Sequence, residues 1–121
     1  MNERRQLPRW EIKKSSRVWM PQVQSFSQGF IEDMHLKGMC ISFEKPVFQQ
    51  ETVNIYFTIG EDNLDLIKVE AQVPWTKQEA DRCVYGLFFS QIRDDYKDRI
   101  SEYINTNCFD QIRNNWWQQS A

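Results

Sequence analysis

An antiparallel β-barrel ending in an α-helix is the fold this sequence predicts, and three observations carry it. From Arg17 to Ser90, short runs of β-branched and aromatic residues alternate with Gly, Pro and polar clusters, the spacing of strands joined by turns. Beyond residue 93 the apolar period lengthens from two to three and four, as in an amphipathic helix. The chain has 121 residues, of which 30 are Val, Ile, Leu or Phe, enough for one domain around one core. Six or seven strands are predicted. Closing so small a sheet into a barrel is the economical way to remove its edges.

The elements follow in order. The first strand is predicted to begin at Arg17-Val18-Trp19-Met20, and the second to run from Phe26 to Met34 around Phe30 and Ile31. Gly38 to Phe43 makes the third and stops at Lys45-Pro46, because proline cannot continue an internal ladder. From Thr52 to Ile59, the residues Val53, Ile55, Phe57 and Ile59 share one face at period two. Gly60 to Asn63 reads as a hairpin loop. In the long run Leu64 to Trp75, the set Ile67, Val69, Ala71 and Val73 is the core-facing one. The polar stretch Thr76 to Asp81 leads to a last strand, Arg82 to Ser90. Asp94 or Asp95 can then cap a helix with Tyr96, Ile100, Tyr103 and Ile104 on its apolar face, ended by Asn105-Thr106-Asn107. In the tail, Phe109, Ile112 and Trp116 repeat helical spacing. That stripe must bury, on the barrel or against a second chain.

Composition removes several classes of function. No apolar run approaches the roughly 20 residues of a membrane span, and the charged segment Met1 to Arg5 does not read as a secretory signal. The cysteines Cys40, Cys83 and Cys108 are odd in number and form no C-x-x-C pair. Neither a disulfide framework nor a four-ligand zinc site is expected, and a reducing cytoplasm is the expected compartment. His35 is the single histidine, which leaves a triad hydrolase, a His-rich metal site or an H-E-x-x-H protease almost nothing to work with. An enzyme is not expected, and no cofactor either.

The charge is informative once it is divided. Residues 1–20 hold Arg4, Arg5, Arg9, Lys13, Lys14 and Arg17 against Glu3 and Glu11, a net of +4. The whole chain is −2, so the remaining 101 residues carry −6. A basic arm on an acidic body either rests on its own domain or forms an anion site, since clustered arginines hold phosphate through paired N–H donors. The acidic body opposes a nucleic-acid polymer, which needs a broad basic face. A small anionic ligand fits better.

Two motifs stand in order along the chain. Arg4-Arg5-Gln6-Leu7-Pro8-Arg9 is an R-R-x-x-x-R run, and Asp33-Met34-His35-Leu36-Lys37-Gly38 is D-x-H-x-x-G. Over residues 3 to 105 the sequence resembles a PilZ domain, whose signatures are R-x-x-x-R and [D/N]-x-S-x-x-G. Pro8-Arg9-Trp10, Val73-Pro74-Trp75, Tyr85-Gly86-Leu87-Phe88-Phe89 and the closing Tyr103-Ile104 agree with it. The resemblance implies a six-stranded antiparallel barrel closed by a C-terminal helix. It also implies a ligand, cyclic di-GMP, and a signalling role in which the arm changes conformation on binding and a downstream protein is regulated. Guanine presents O6 and N7 as adjacent acceptors, which arginine matches with two donors. The resemblance gives that work to Arg5 and Arg9, with Arg4 on phosphate. Asp33 accepts from guanine N1–H and N2–H, and Gly38 lets the backbone turn tightly or approach the ligand.

His35 departs from the pattern, where the family has serine. Imidazole can hydrogen-bond to guanine or stack on it, and it can equally block the pocket. The second reading is therefore a ligand-independent adaptor built on the same barrel. Lys37 is a smaller departure from the family's small residue. Trp75, Phe88 and Phe89 are expected in the core, Trp10 to pin the arm, and Cys40 and Cys83 to act as small hydrophobes. The expected division is a basic arm over 1–12, barrel plus helix over 13–105, and a tail over 106–121. The arm is expected to order only when an anion arrives, and the protein to be a monomer or weak dimer.

Overall fold

The computed structural model describes residues 9–48, 50–59 and 66–108. Six strands, β1 (Trp10–Met20), β2 (Ser25–His35), β3 (Gly38–Phe43), β4 (Thr52–Thr58), β5 (Leu66–Gln78) and β6 (Cys83–Ile92), precede one helix, α1 (Asp94–Asn107). All neighbouring strands are antiparallel, and the order β1-β2-β3-β6-β5-β4 closes on itself. The fold is thus a six-stranded antiparallel barrel with a C-terminal helix, as predicted. The expected hairpin loop at Gly60 to Asn63, Leu64, Arg4, Arg5 and the Phe109, Ile112 and Trp116 stripe lie outside the described residues.

The barrel interior is the core. Val53, Ile55, Phe57 and Ile59 are all buried, as are Ile67, Val69 and Ala71. Removing that much apolar surface from water is the main driving force for closure. Phe57 and Phe89 stack across the interior at 6.2 Å between ring centres. Ile100 and Ile104 of α1 are buried in the same cluster as Ile12 and Cys108, so the apolar face of the helix joins the barrel's core. Phe48, after β3, packs edge-on against Phe43 and Tyr85, and the Val47 amide donates to the Tyr85 hydroxyl at 2.9 Å.

Three details differ from the sequence reading. β1 begins at Trp10, seven residues before Arg17, because a bulge between Glu11 and Lys14 breaks its alternation. Lys13 sits there at φ 52°, a left-handed conformation uncommon for a side-chain-bearing residue. Further along β1, Ser16 is buried although polar, and its hydroxyl donates to the Thr58 carbonyl at 2.8 Å and accepts from the Thr58 amide at 3.1 Å. Those bonds extend the β1–β4 seam, which otherwise has the pairs Val18↔Phe57 and Trp19↔Tyr56. β5 continues to Gln78 rather than stopping at Trp75, and passes Pro74 through a register shift between Gln72 and Trp75. A bulge is where a strand can hold a proline without losing a ladder bond. Finally, Arg93 is the helix N-cap residue, with no side-chain cap bond. Asp94 and Asp95 lie in the first turn, where their charge complements the helix dipole.

Candidate functional site

The sheet register builds the site. Asp33 on β2 pairs with Cys40 on β3, Cys40 with Gly86 on β6, and Gly86 with Trp75 on β5. The adjacent row runs His35, Gly38, Phe88. Met34, Met39 and Leu87, between these positions, are buried inward, so both rows belong to the outer face of the barrel. A bulge between Ile31 and Asp33 makes this possible. It lets both Glu32 and Asp33 avoid the interior while Ile31 and Met34 fill it.

These rows frame a cavity of about 170 Å³ whose lining includes Arg9, Asp33, His35, Cys40, Trp75 and Phe88. Of the residues singled out from the sequence, Arg9, Asp33 and His35 therefore meet at one place. Arg9 Nη1 stands 4.0 Å from Asp33 Oδ2. Asp33 Oδ1 is buried and has no hydrogen-bond partner among the described residues, a condition that costs roughly 1–3 kcal/mol unless a donor arrives. The Lys37 amide donates to His35 Nδ1 at 3.1 Å, which holds the imidazole over the β2–β3 turn. Burial, with the charges of Asp33 and Glu32 nearby, pushes the Cys40 thiol up to about 11. That shift favours the neutral thiol over the reactive thiolate.

Gly38 does not line the cavity. A Cβ there would overlap the Leu87 carbonyl oxygen on β6 and crowd the His35 ring. Clearance between strands is thus a structural reason for glycine at this position. Gly38→Ala is expected to destabilise the fold by roughly 1–3 kcal/mol, because backbone must move. A urea-unfolding midpoint equal to that of the parent would contradict this close fit.

Trp75 and Phe88 are the residues the sequence reading misplaced. Phe89 is in the core as expected, but Trp75 is 40% and Phe88 45% exposed. A Cβ on Gly86 would overlap the Trp75 indole, so the missing side chain is what allows the ring to approach β6 so closely. Two exposed aromatic faces beside an orphaned carboxylate and an arginine form a surface suited to a planar, hydrogen-bonding heterocycle.

Glu32 is a further residue that the sequence reading did not single out. Its carboxylate accepts from Lys13 Nζ at 2.9 Å, Arg82 Nη1 at 2.6 Å and Ser42 Oγ at 3.1 Å. Arg82 Nε also donates to Glu79 at 2.8 Å. This network ties β1, β2, β3 and the β5–β6 turn together next to Asp33. Burial alone would raise the Glu32 carboxyl, but the bonds from Lys13 and Ser42 and the Arg82 charge hold it below the usual range. The bond to Glu32 likewise raises the Lys13 ammonium, against a smaller opposing effect of burial. A lowered carboxyl stabilises the fold above the ordinary glutamate value of 4.5 and loses that contribution as pH falls through its folded value. Glu32→Gln is therefore expected to flatten the acid limb of the stability profile. An acid limb as steep as the parent's in urea titrations at several pH values would contradict it.

Among the described residues there is no cluster of His, Cys, Asp and Glu that could hold a metal, and no helix long and apolar enough to cross a membrane. Among curated proteins the sequence has no match. Solved structures do resemble the barrel. The PilZ domain of YcgR from Escherichia coli with c-di-GMP has a TM-score of 0.67 at 15% identity, over 93% of this chain and 97% of that one. The K. pneumonia MrkH–c-di-GMP complex scores 0.69 at 15% identity, covering 93% and 55%. The Bacillus subtilis inhibitor of motility (MotI/DgrA) scores 0.68 at 15% identity, covering 93% and 53%. The chain thus spans about half the length of the last two. Such likeness shows the fold. The PilZ domain profile matches residues 3–106, and the chain belongs to the PilZ domain family.

Proposed function

We propose that the protein is a receptor domain for cyclic di-GMP. The observation that carries this reading is the meeting of Arg9, Asp33 and His35 at a cavity walled by Trp75 and Phe88, with Asp33 Oδ1 buried and unpartnered. Guanine N1–H and N2–H are donors for Asp33, while its O6 and N7 accept from an arginine. Pockets that bury a whole drug-sized ligand hold roughly 300–1,000 Å³; at about 170 Å³ this one takes a single base. The rest of the dinucleotide then lies outside it, with Arg5, like Arg9, serving guanine or phosphate and Arg4 serving phosphate. Closure of that arm is the conformational signal to a downstream protein, and the role is binding rather than catalysis.

Thermal unfolding tests the proposal. A ligand that binds only the folded state adds about 2.7 kcal/mol at a hundred-fold excess over Kd. For a domain of this size the expected rise in Tm is roughly 10 °C. No rise with cyclic di-GMP would refute it. The adaptor reading would then stand, because the His35 ring already occupies part of the cavity wall.

A further inference from the structure

We propose that the groove between β5, β6 and the start of α1 docks an acidic segment of a partner protein. It is a larger space than the candidate nucleotide cavity, about 670 Å³, and meets it at Phe88. Lys37, Lys68, Arg93 and Lys97 line it, against the single carboxylate of Glu70. Lys37, Lys68 and Lys97 have no ion-pair partner among the described residues. Lys68 lies over the Tyr56 ring at 5.8 Å. Arg93 is bound to Asp95 at 2.7 Å and stacks on Tyr96 at 4.7 Å. Glu70 accepts from the Ser90 hydroxyl.

The local charge is inverted relative to its surroundings. Residues 21–121 carry −6, yet the groove gathers Lys37, Lys68 and Lys97 around the one acid Glu70, with Arg93 paired to Asp95. Complementarity of this kind selects an acidic partner and steers its approach. The cations come from three elements, Lys37 from the β2–β3 turn, Lys68 from β5, and Arg93 and Lys97 from the start of α1, a spread along the groove rather than a single cluster. They suit carboxylates distributed along a chain. The exposed ring of Phe88, with Tyr96, supplies an apolar floor that a small anion leaves unused and a peptide side chain covers.

The test uses the full chain, labelled with nitrogen-15, and a short synthetic peptide of Asp and Glu around a central Leu-Phe. The comparison peptide replaces the acids by Asn and Gln. Amide shifts at Lys37, Lys68, Phe88 and Lys97 are expected with the acidic peptide and not with the neutral one. Lys68→Glu with Lys97→Glu should weaken binding by roughly ten-fold or more, and Lys37→Glu alone should act in the same direction from a different element. Equal binding of the two peptides, shifts confined to the basic residues 9–20, or unchanged affinity in all these variants would overturn the proposal. Pyrophosphate shifting the same amides with equal affinity would also overturn it, by identifying a small-anion site. None of these readouts depends on cyclic di-GMP, so this proposal and the receptor reading fail separately.

Discussion

Arg9→Ala is expected to weaken cyclic di-GMP binding by roughly ten-fold or more. The guanidinium lines the cavity and stands 4.0 Å from Asp33, placing its donors beside the position assigned to the base. Charge-assisted bonds of this type contribute on the order of 1.5–3 kcal/mol, and 1.4 kcal/mol is already ten-fold. Arg9 is 40% exposed and its pairing with Asp33 is long, so the free protein should lose little stability. The salt dependence of binding should fall with the charge. Arg5→Ala is expected to act in the same direction. Calorimetric affinities of both variants equal to the parent's would reduce the arm to a solvated charge cluster.

Asp33→Ala should have an effect at least as large, with an unusual signature. It removes the acceptor of two guanine donors, and a good bidentate pair is worth about 1–3 kcal/mol of discrimination. A ten- to hundred-fold loss of affinity is therefore expected, on the order of 1.4–2.7 kcal/mol. In the free protein, however, Asp33 Oδ1 is buried without a partner. Deleting a carboxylate so placed relieves a desolvation cost of about 1–3 kcal/mol, against the little that a long, half-exposed ion pair contributes. The melting temperature without ligand should hold or rise while binding is lost. A fall in both would show that Asp33 is a structural residue whose loss damages the fold.

Which parts of this architecture were legible in the sequence depends on how regular each strand is. β4 and the first half of β5 keep strict alternation, and Val53, Ile55, Phe57, Ile67, Val69 and Ala71 are buried as read. β1 was truncated because its bulge at Lys13 and its buried Ser16 both look like loop chemistry. β5 was cut short because Thr76, Lys77 and Gln78 are exposed and so carry no apolar period. In the site, Arg9, Asp33 and His35 came from the motifs, and the register brings them together. Phe88 was readable and missed. Tyr85, Leu87 and Phe89 alternate into the core, which leaves Phe88 outside. Trp75 required the pairing with Gly86, and Glu32 the bulge beside Asp33. Both are properties of register, which a single strand's pattern does not contain.

The central claim, that a guanine occupies the cavity of Arg9, Asp33 and His35, is tested most directly by calorimetric titration with cyclic di-GMP and, in parallel, cyclic di-AMP. Adenine has no N1–H and carries an amino group where guanine has O6, so it denies Asp33 a donor and the arginine an acceptor. Saturable binding of cyclic di-GMP is expected, with cyclic di-AMP weaker by roughly ten-fold or more. Equal affinity for the two, or no heat with cyclic di-GMP, would contradict the account.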